Sequence, residues 1–452
     1  MSARRRMFGT AIPGALLAAT ALAPAHGGSS AAAQEALVIR GGTVHTMAGE
    51  PFQGTVVVVD GVIREVGPSA SAPAGAKVID ATGLHVYPGM FDAVSQLGLT
   101  EIGAVDVTND ARELGTFNPH LQASTAVHPP SEHIPVARAN GITHTIATPQ
   151  GAPGGIPGWG SLVNLDGWTV EEMEMVGRAA LVLVWPSMGG GFGGFGGGGF
   201  GGGSPPSFRE REERYREAVQ RLGEWLDAAR HYDQAVTAGR PVARDLKLEG
   251  LVPVVSGERP VLVQARDERQ IRDAVAFGGE QRLRIVIAGG EEAHKVASLL
   301  AEKDVPVILG PTQDMPPSGP DASYAEAYAR PGILHAAGVR IAFATFGASD
   351  SRTLPYEAAM GIPFGLPREA ALRGVTTSGA EMLGLGDLVG TLEAGKVGNL
   401  IVTDGDPLEI TTTVRHLVID GREADMMNRH LELYERYRSR PGPSGSRPAP
   451  AR

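Results

Sequence analysis

The 452-residue chain contains no cysteine. Disulfide frameworks, cysteine nucleophiles and thiolate metal sites are thereby excluded, and any metal would have to be held by histidine and carboxylate groups. Basic charge is also short, since 40 Lys and Arg face 50 Asp and Glu for a formal net charge of -10. Nucleic acid calls for a basic stripe and is not an expected partner. No apolar run reaches the roughly 18 to 20 residues that a bilayer span requires. With 42% apolar residues, the chain is long enough for a large core with an accessory module.

The N-terminal stretch reads as an export signal over residues 1–33. Arg4, Arg5 and Arg6 form a basic region, Ile12 to Ala23 is apolar and Ala-rich, and Ala31-Ala32-Ala33 offers a small-residue cleavage site. The expected protein is periplasmic or secreted. Arg5-Arg6-Met7-Phe8 fits a twin-arginine signal, and the Sec route is the alternative.

Both ends of the remaining chain are rich in short strands. Leu37-Val38-Ile39 leads into Gly41-Gly42, Val56 to Val59 is a β-branched run, and Asp60-Gly61 marks a hairpin before Val62-Ile63. The same texture returns in Asn399 to Val402 and in His416 to Arg422. Between the ends, strand-like runs alternate with helical stretches, which predicts βα units. The runs are Thr143 to Ala147, Ala180 to Val184, Val261 to Gln264, Arg284 to Ile287, Val305 to Leu309 and Arg340 to Ala344. About 300 residues suit a TIM-type barrel, with a doubly wound open sheet as the alternative. Gly189 to Gly203 reads as a flexible insertion, and residues 437–452 as a disordered tail.

Two peptides carry a family resemblance. Tyr87-Pro88-Gly89-Met90-Phe91-Asp92-Ala93-Val94-Ser95-Gln96 has the frame of the Pro-Gly-x-x-Asp-x-His-x-His strand that opens the amidohydrolase barrel. Gly390 to Val402 resembles the segment by which that superfamily re-enters its β-sandwich. With Asp404 to Leu408, and Leu354-Pro355-Tyr356 before a helix, the chain looks like the imidazolonepropionase-related branch over residues 36 to 436. The resemblance implies a (β/α)8 barrel over 84–388 and a small β-sandwich built from 34–83 and 389–436. It also implies hydrolysis of a carbon–nitrogen bond in a cyclic amide or peptide-like substrate by a zinc-bound water.

The ligand positions depart from that pattern. Val94 and Gln96 stand where the family has two histidines, Gln264 stands at the next one, and Ile285 to Gly290 lacks another. Phe343 to Ala348 holds no acid, so Asp350 would have to serve from a few residues away. Valine cannot ligate and amide oxygen is a weak zinc ligand, so no metal cofactor is expected. Gln264, Arg266 and Asp350 are the candidate catalytic groups, with Arg266 able to orient a carboxylate or carbonyl, or else to pair with a wall acid. Gln96, Glu101, Asn118 and His144 are candidate substrate contacts, although Asn118-Pro119 is equally a turn former. The expected partner is a small molecule, and a homo-oligomer stays open. Three functions remain: a hydrolase of carbon–nitrogen bonds, a non-catalytic binding protein on the same barrel, and a structural subunit paired with an active paralogue.

Overall fold

The computed structural model describes residues 35–188, 206–315 and 323–440. The export stretch 1–33, the Gly-rich segment Gly189 to Gly203 and the tail after residue 440 lie outside the described residues. The helix Arg429–Arg438 runs two residues into the stretch expected to be tail.

Five strands come first: β1 (Ala36–Val44), β2 (Phe52–Val59), β3 (Val62–Gly67), β4 (Lys77–Asp80) and β5 (His85–Pro88). Eight follow: β6 (Met90–Ser95), β7 (Ile142–Ala147), β8 (Gly155–Asn164), β9 (Glu174–Val184), β10 (Val261–Ala265), β11 (Ile285–Gly289), β12 (Val307–Leu309) and β13 (Ile341–Phe343). The last three are β14 (Leu400–Thr403), β15 (Val414–Ile419) and β16 (Arg422–Glu423).

β1 to β5 and β14 to β16 share one sheet, ordered β16-β15-β14-β5-β1-β2-β3 with β4 beside β1. Alternate residues explain its cohesion, because Leu37, Ile39, Val56, Val58, Ile63, Leu400, Val402 and Val418 form one apolar core. Asp60-Gly61 and Asp420-Gly421 close tight hairpins with φ of 50° and 79°, and 50° and 73°. Positive φ at both central residues matches the twist of the flanking strands.

The middle strands form a second sheet in the order β6 to β13. Its edges meet through Phe346 N–H to Val94 O at 2.9 Å and Gln96 N–H to Gly347 O at 3.2 Å, which nearly closes a barrel. Phe91, Ile146, Leu162, Val182, Leu262, Val286, Ile308 and Ala342 pack together in its interior. The alternate residues Val261, Val263, Ile285, Ile287, Val307, Leu309 and Phe343 join a larger outer core with helix residues Leu222, Leu226, Ile271, Leu300 and Leu334.

One strand corrects the expectation of a regular (β/α)8 barrel. β8 runs antiparallel to both β7 and β9, so seven wall strands are parallel and one is reversed. Residues 148–154, Thr-Pro-Gln-Gly-Ala-Pro-Gly, are too few for a parallel crossover, which needs about a dozen or more. The chain therefore turns straight back. β8 gave no strand signature because Gly155, Pro157, Gly158 and Gly160 interrupt it. Two of these glycines mark close approach: a Cβ on Gly158 would lie 3.0 Å from Leu121 O, and one on Gly160 2.7 Å from Ile146 Cγ2.

Candidate active site at the barrel mouth

In barrels of this kind chemistry gathers where the parallel strands end at their C-termini. β6 delivers Val94 and Gln96 there. Val94 is buried in the interior apolar core beside Ala288, Ile308 and Phe346. Gln96 is half-buried and accepts a hydrogen bond from Thr100 Oγ1 at 3.3 Å. Phe346 holds a left-handed φ of 58° and sets its ring against Gly310, so the mouth has an aromatic wall.

Asp92, earlier on β6, is fully buried and points to the end of β13. Its carboxyl accepts the Thr345 N–H at 3.1 Å and the Thr345 hydroxyl. Burial pushes this carboxyl up to about 7 against the lowering effect of those bonds. Thr345 thus latches the end of β13 to β6.

β10 presents Gln264, partly exposed, whose amide meets no hydrogen-bonding group among the described residues. Arg266 follows it and pairs through Nε with Glu291 Oε1 at 2.5 Å, the wall-acid arrangement considered from sequence. Glu291 lies just past β11, and its Oε2 is 3.4 Å from the place a Cβ on Gly289 would occupy. Asp350 is exposed at the rim, at the head of the short helix Ser351–Thr353.

The other sequence candidates are placed by their bonds. Glu101 accepts from Ser131 Oγ at 2.6 Å and from the Glu132 N–H at 3.1 Å, while its carbonyl bonds His133 Nε2 at 2.8 Å. It fastens the start of the helix His133–Arg138. Asn118 is buried and donates from Nδ2 to Leu114 O and Gly115 O, which closes a turn. His144 is buried near the opposite end of the barrel, stacked on Phe91 at 4.9 Å, with Nδ1 against Thr143 Oγ1 at 2.7 Å. Asn399, from the strand-rich sheet, also approaches it. Burial lowers this imidazole to about 3, which keeps it neutral. Strand alternation gives a side but no depth, which is why His144 does not share the mouth with Gln264.

Two polar residues here were not among the candidates drawn from the sequence. Glu291 keeps one buried oxygen, Oε2, without a hydrogen-bond partner. Arg330, on the helix Glu326–Ala336 that follows β12, is 6% exposed and its Nε is likewise without a partner. Burial pushes its pKa down, and the nearby Glu291 and Glu326 pull it back up. The acids after Gly289-Gly290 were the only available signal for this pair. Among the described residues no three His, Asp or Glu side chains assemble as a metal-binding group.

A family model described as Amidohydrolase family matches residues 343–424. Amidohydrolase tasK of Hapsidospora irregularis is 25% identical over 405 residues, 81% of this chain and 39% of that protein. A 5-methylthioadenosine/S-adenosylhomocysteine deaminase of Syntrophobacter fumaroxidans is 30% identical over 152 residues, 30% of this chain and 33% of that one. The chain thus spans well under two thirds of either relative. The crystal structure of an amidohydrolase from Thermotoga maritima shares the fold at a TM-score of 0.71 and 25% identity, over 86% of this chain and 99% of that chain. A prolidase complexed with N-methylphosphonate-L-proline gives 0.54 at 18% identity, over 86% and 99%, a likeness of fold alone. The chain is thus similar to amidohydrolases in its C-terminal segment and in the barrel it shares with the Thermotoga maritima protein.

Proposed function

We propose that the barrel mouth is a small-molecule site of the amidohydrolase kind that works without the family's zinc, binding a compound with an amide or carboxylate group. The observation that carries this reading is Gln264. Its amide is uncommitted at the end of β10, where the resembling enzymes hold a histidine, and the guanidinium of Arg266 follows two residues later. The groups at hand are the amides of Gln96 and Gln264, set against apolar Val94, while the Arg266 guanidinium is paired with Glu291 and the Thr345 hydroxyl is bonded to Asp92. That set does not fit a zinc centre of imidazole and carboxylate ligands. It suits hydrogen bonding to a carbonyl or carboxylate oxygen.

Hydrolysis of a carbon–nitrogen bond is the second reading, favoured by the family segment and by relatives named amidohydrolase and deaminase. In a zinc-free form, water would attack the carbonyl carbon as Asp350 takes its proton, the C–N bond would break, and the proton would pass to the departing nitrogen. The closer likeness to the imidazolonepropionase branch, with its cyclic amide substrates, belongs to this reading.

Elemental analysis tests the zinc-free premise that both readings share. The purified protein is expected to hold well under one equivalent of zinc, and a chelator to leave its thermal midpoint unchanged. Stoichiometric zinc surviving dialysis, or chelator-sensitive release of an amine or ammonia from an amide panel, would overturn the zinc-free reading.

A further inference from the structure

A cavity lies at the end of the barrel opposite the mouth. Pro260, Arg284, Pro306 and Arg340 line it, and each stands directly before a parallel strand, β10 to β13 in turn. Its volume of about 770 Å³ is that of an ordinary small-molecule site, roughly 300–1,000 Å³. The floor is apolar, made by Val275, Leu283, Ile285, Leu299, Val305 and Met382. The lining also carries four basic side chains and three acidic ones, in a chain whose formal net charge is -10. Most of these charges are spent. Arg272 pairs with Glu268 at 2.9 Å, Lys303 with Glu302 at 2.9 Å, and Arg340 with Asp304 at 3.1 Å, while Glu381 is taken by Arg373 at 3.0 Å. Arg284 and Glu280 remain without an ion pair among the described residues, and the Arg284 guanidinium reaches the Glu258 carbonyl at 3.5 Å. Their i,i+4 spacing would pair them on a helix. The helix Glu268–Glu280 ends at the first of them, however, and a left-handed φ of 53° at Arg282 turns the chain before the second.

We infer that this cavity binds a small organic anion, a carboxylate on an apolar body, with Arg284 as its anchor. A guanidinium offers paired donors in the fork that a carboxylate accepts. The apolar floor covers the body of the ligand, and that burial supplies affinity which an ion pair open to water does not. A cation drawn to Glu280 would meet the uncompensated Arg284 and the basic excess of the lining, so the charges favour the anion. Glu280 opposes the anion and weakens its binding. Chemistry in such barrels gathers at the C-terminal ends of the strands. A cavity at their N-terminal ends is therefore a binding site, independent of the mouth and of the reading given to it.

The test uses the full folded protein and three probes in saturation-transfer NMR titrations: hydrocinnamate, hydrocinnamyl alcohol and acetate. Hydrocinnamate is expected to bind most tightly. The alcohol keeps the apolar body without the charge and should bind about fivefold more weakly, the scale of a solvent-exposed ion pair. Acetate keeps the charge without the body and should bind weakest of the three. Arg284 is exposed, so Arg284→Gln leaves the fold intact. It should bring hydrocinnamate down to the affinity of the alcohol and leave the alcohol unchanged. Glu280→Gln should tighten hydrocinnamate about twofold. Equal affinities for acid and alcohol, an unchanged acid affinity in Arg284→Gln, or no binding at all would overturn the inference. Binding that falls with Gln264→Leu and not with Arg284→Gln would put the anion in the mouth, which rejects the cavity and leaves the mouth site standing.

Discussion

Between pH 5 and pH 8 the wild-type protein is expected to lose stability that an Asp92→Asn variant keeps. Asp92 has an unfolded pKa near 3.9, as an ordinary aspartate does, and a folded value raised to about 7 by complete burial. Between those values the native state binds the proton more tightly than the unfolded chain. The stabilising linkage is full below about pH 4 and drains away as pH rises to about 7, for a total on the order of a few kcal/mol. Asparagine mimics the protonated form: its oxygen can accept the Thr345 N–H, and its amide can donate to Thr345 Oγ1. It should exceed wild type by about 1–2 kcal/mol at pH 5, where the loss has begun, and by the full few kcal/mol at pH 8. Asp92→Ala differs, since at pH 5 it strands the Thr345 N–H in a buried site, at about 1–3 kcal/mol, while the Thr345 hydroxyl keeps Ser351 Oγ at 3.2 Å. Urea unfolding of the three proteins across this pH range decides the matter. Parallel pH slopes for wild type and Asp92→Asn would show that the carboxyl is not the titrating group.

Gly89→Ala is expected to be strongly destabilising. A Cβ there would fall 2.1 Å from Thr143 Oγ1, 2.4 Å from its Cγ2 and 2.7 Å from its Cβ. Thr143 is fully buried on β7, and its hydroxyl lies 2.7 Å from His144 Nδ1, so it has nowhere to turn. The strain must move the joint between β5 and β6, where the strand-rich sheet passes into the barrel. A cost of about 3 kcal/mol follows from overpacking of this kind. Calorimetry should show a fall of several degrees in the thermal midpoint. Adding Thr143→Ala removes the two nearest atoms and should recover part of the loss. An unchanged midpoint for Gly89→Ala would mean that the two strands separate freely there.

These two residues show what the sequence could disclose. The Pro-Gly-x-x-Asp frame was visible, and its glycine and aspartate now have physical roles as a close approach and a latch across the barrel seam. β10 to β13 were also legible, because strands covered on both faces read as continuous apolar runs. β8 was not, since glycine and proline hid a strand that tertiary pairing imposes. The mouth was legible only where strand ends point to it, as at Gln96 and Gln264. Glu291 sits on a loop and Arg330 on a helix, and no periodicity marks either of them. Glu101 carried a contact reading and Asn118 both a contact and a turn reading, and the bonds they make here belong to the loop and its flanks.

The reversed strand also bears on the order in which the molecule assembles. β7, β8 and β9 pair with immediate sequence neighbours across short connections, so they can zip together with little loss of chain entropy. Sealing the barrel asks for much more, since Asp92 must find Thr345 from 253 residues away. Contacts of such separation form late as a rule. Pulse-labelled hydrogen exchange during refolding should therefore protect the amides of β8 and β9 first and that of Phe346 last, making the meander the nucleus and the seam the final step.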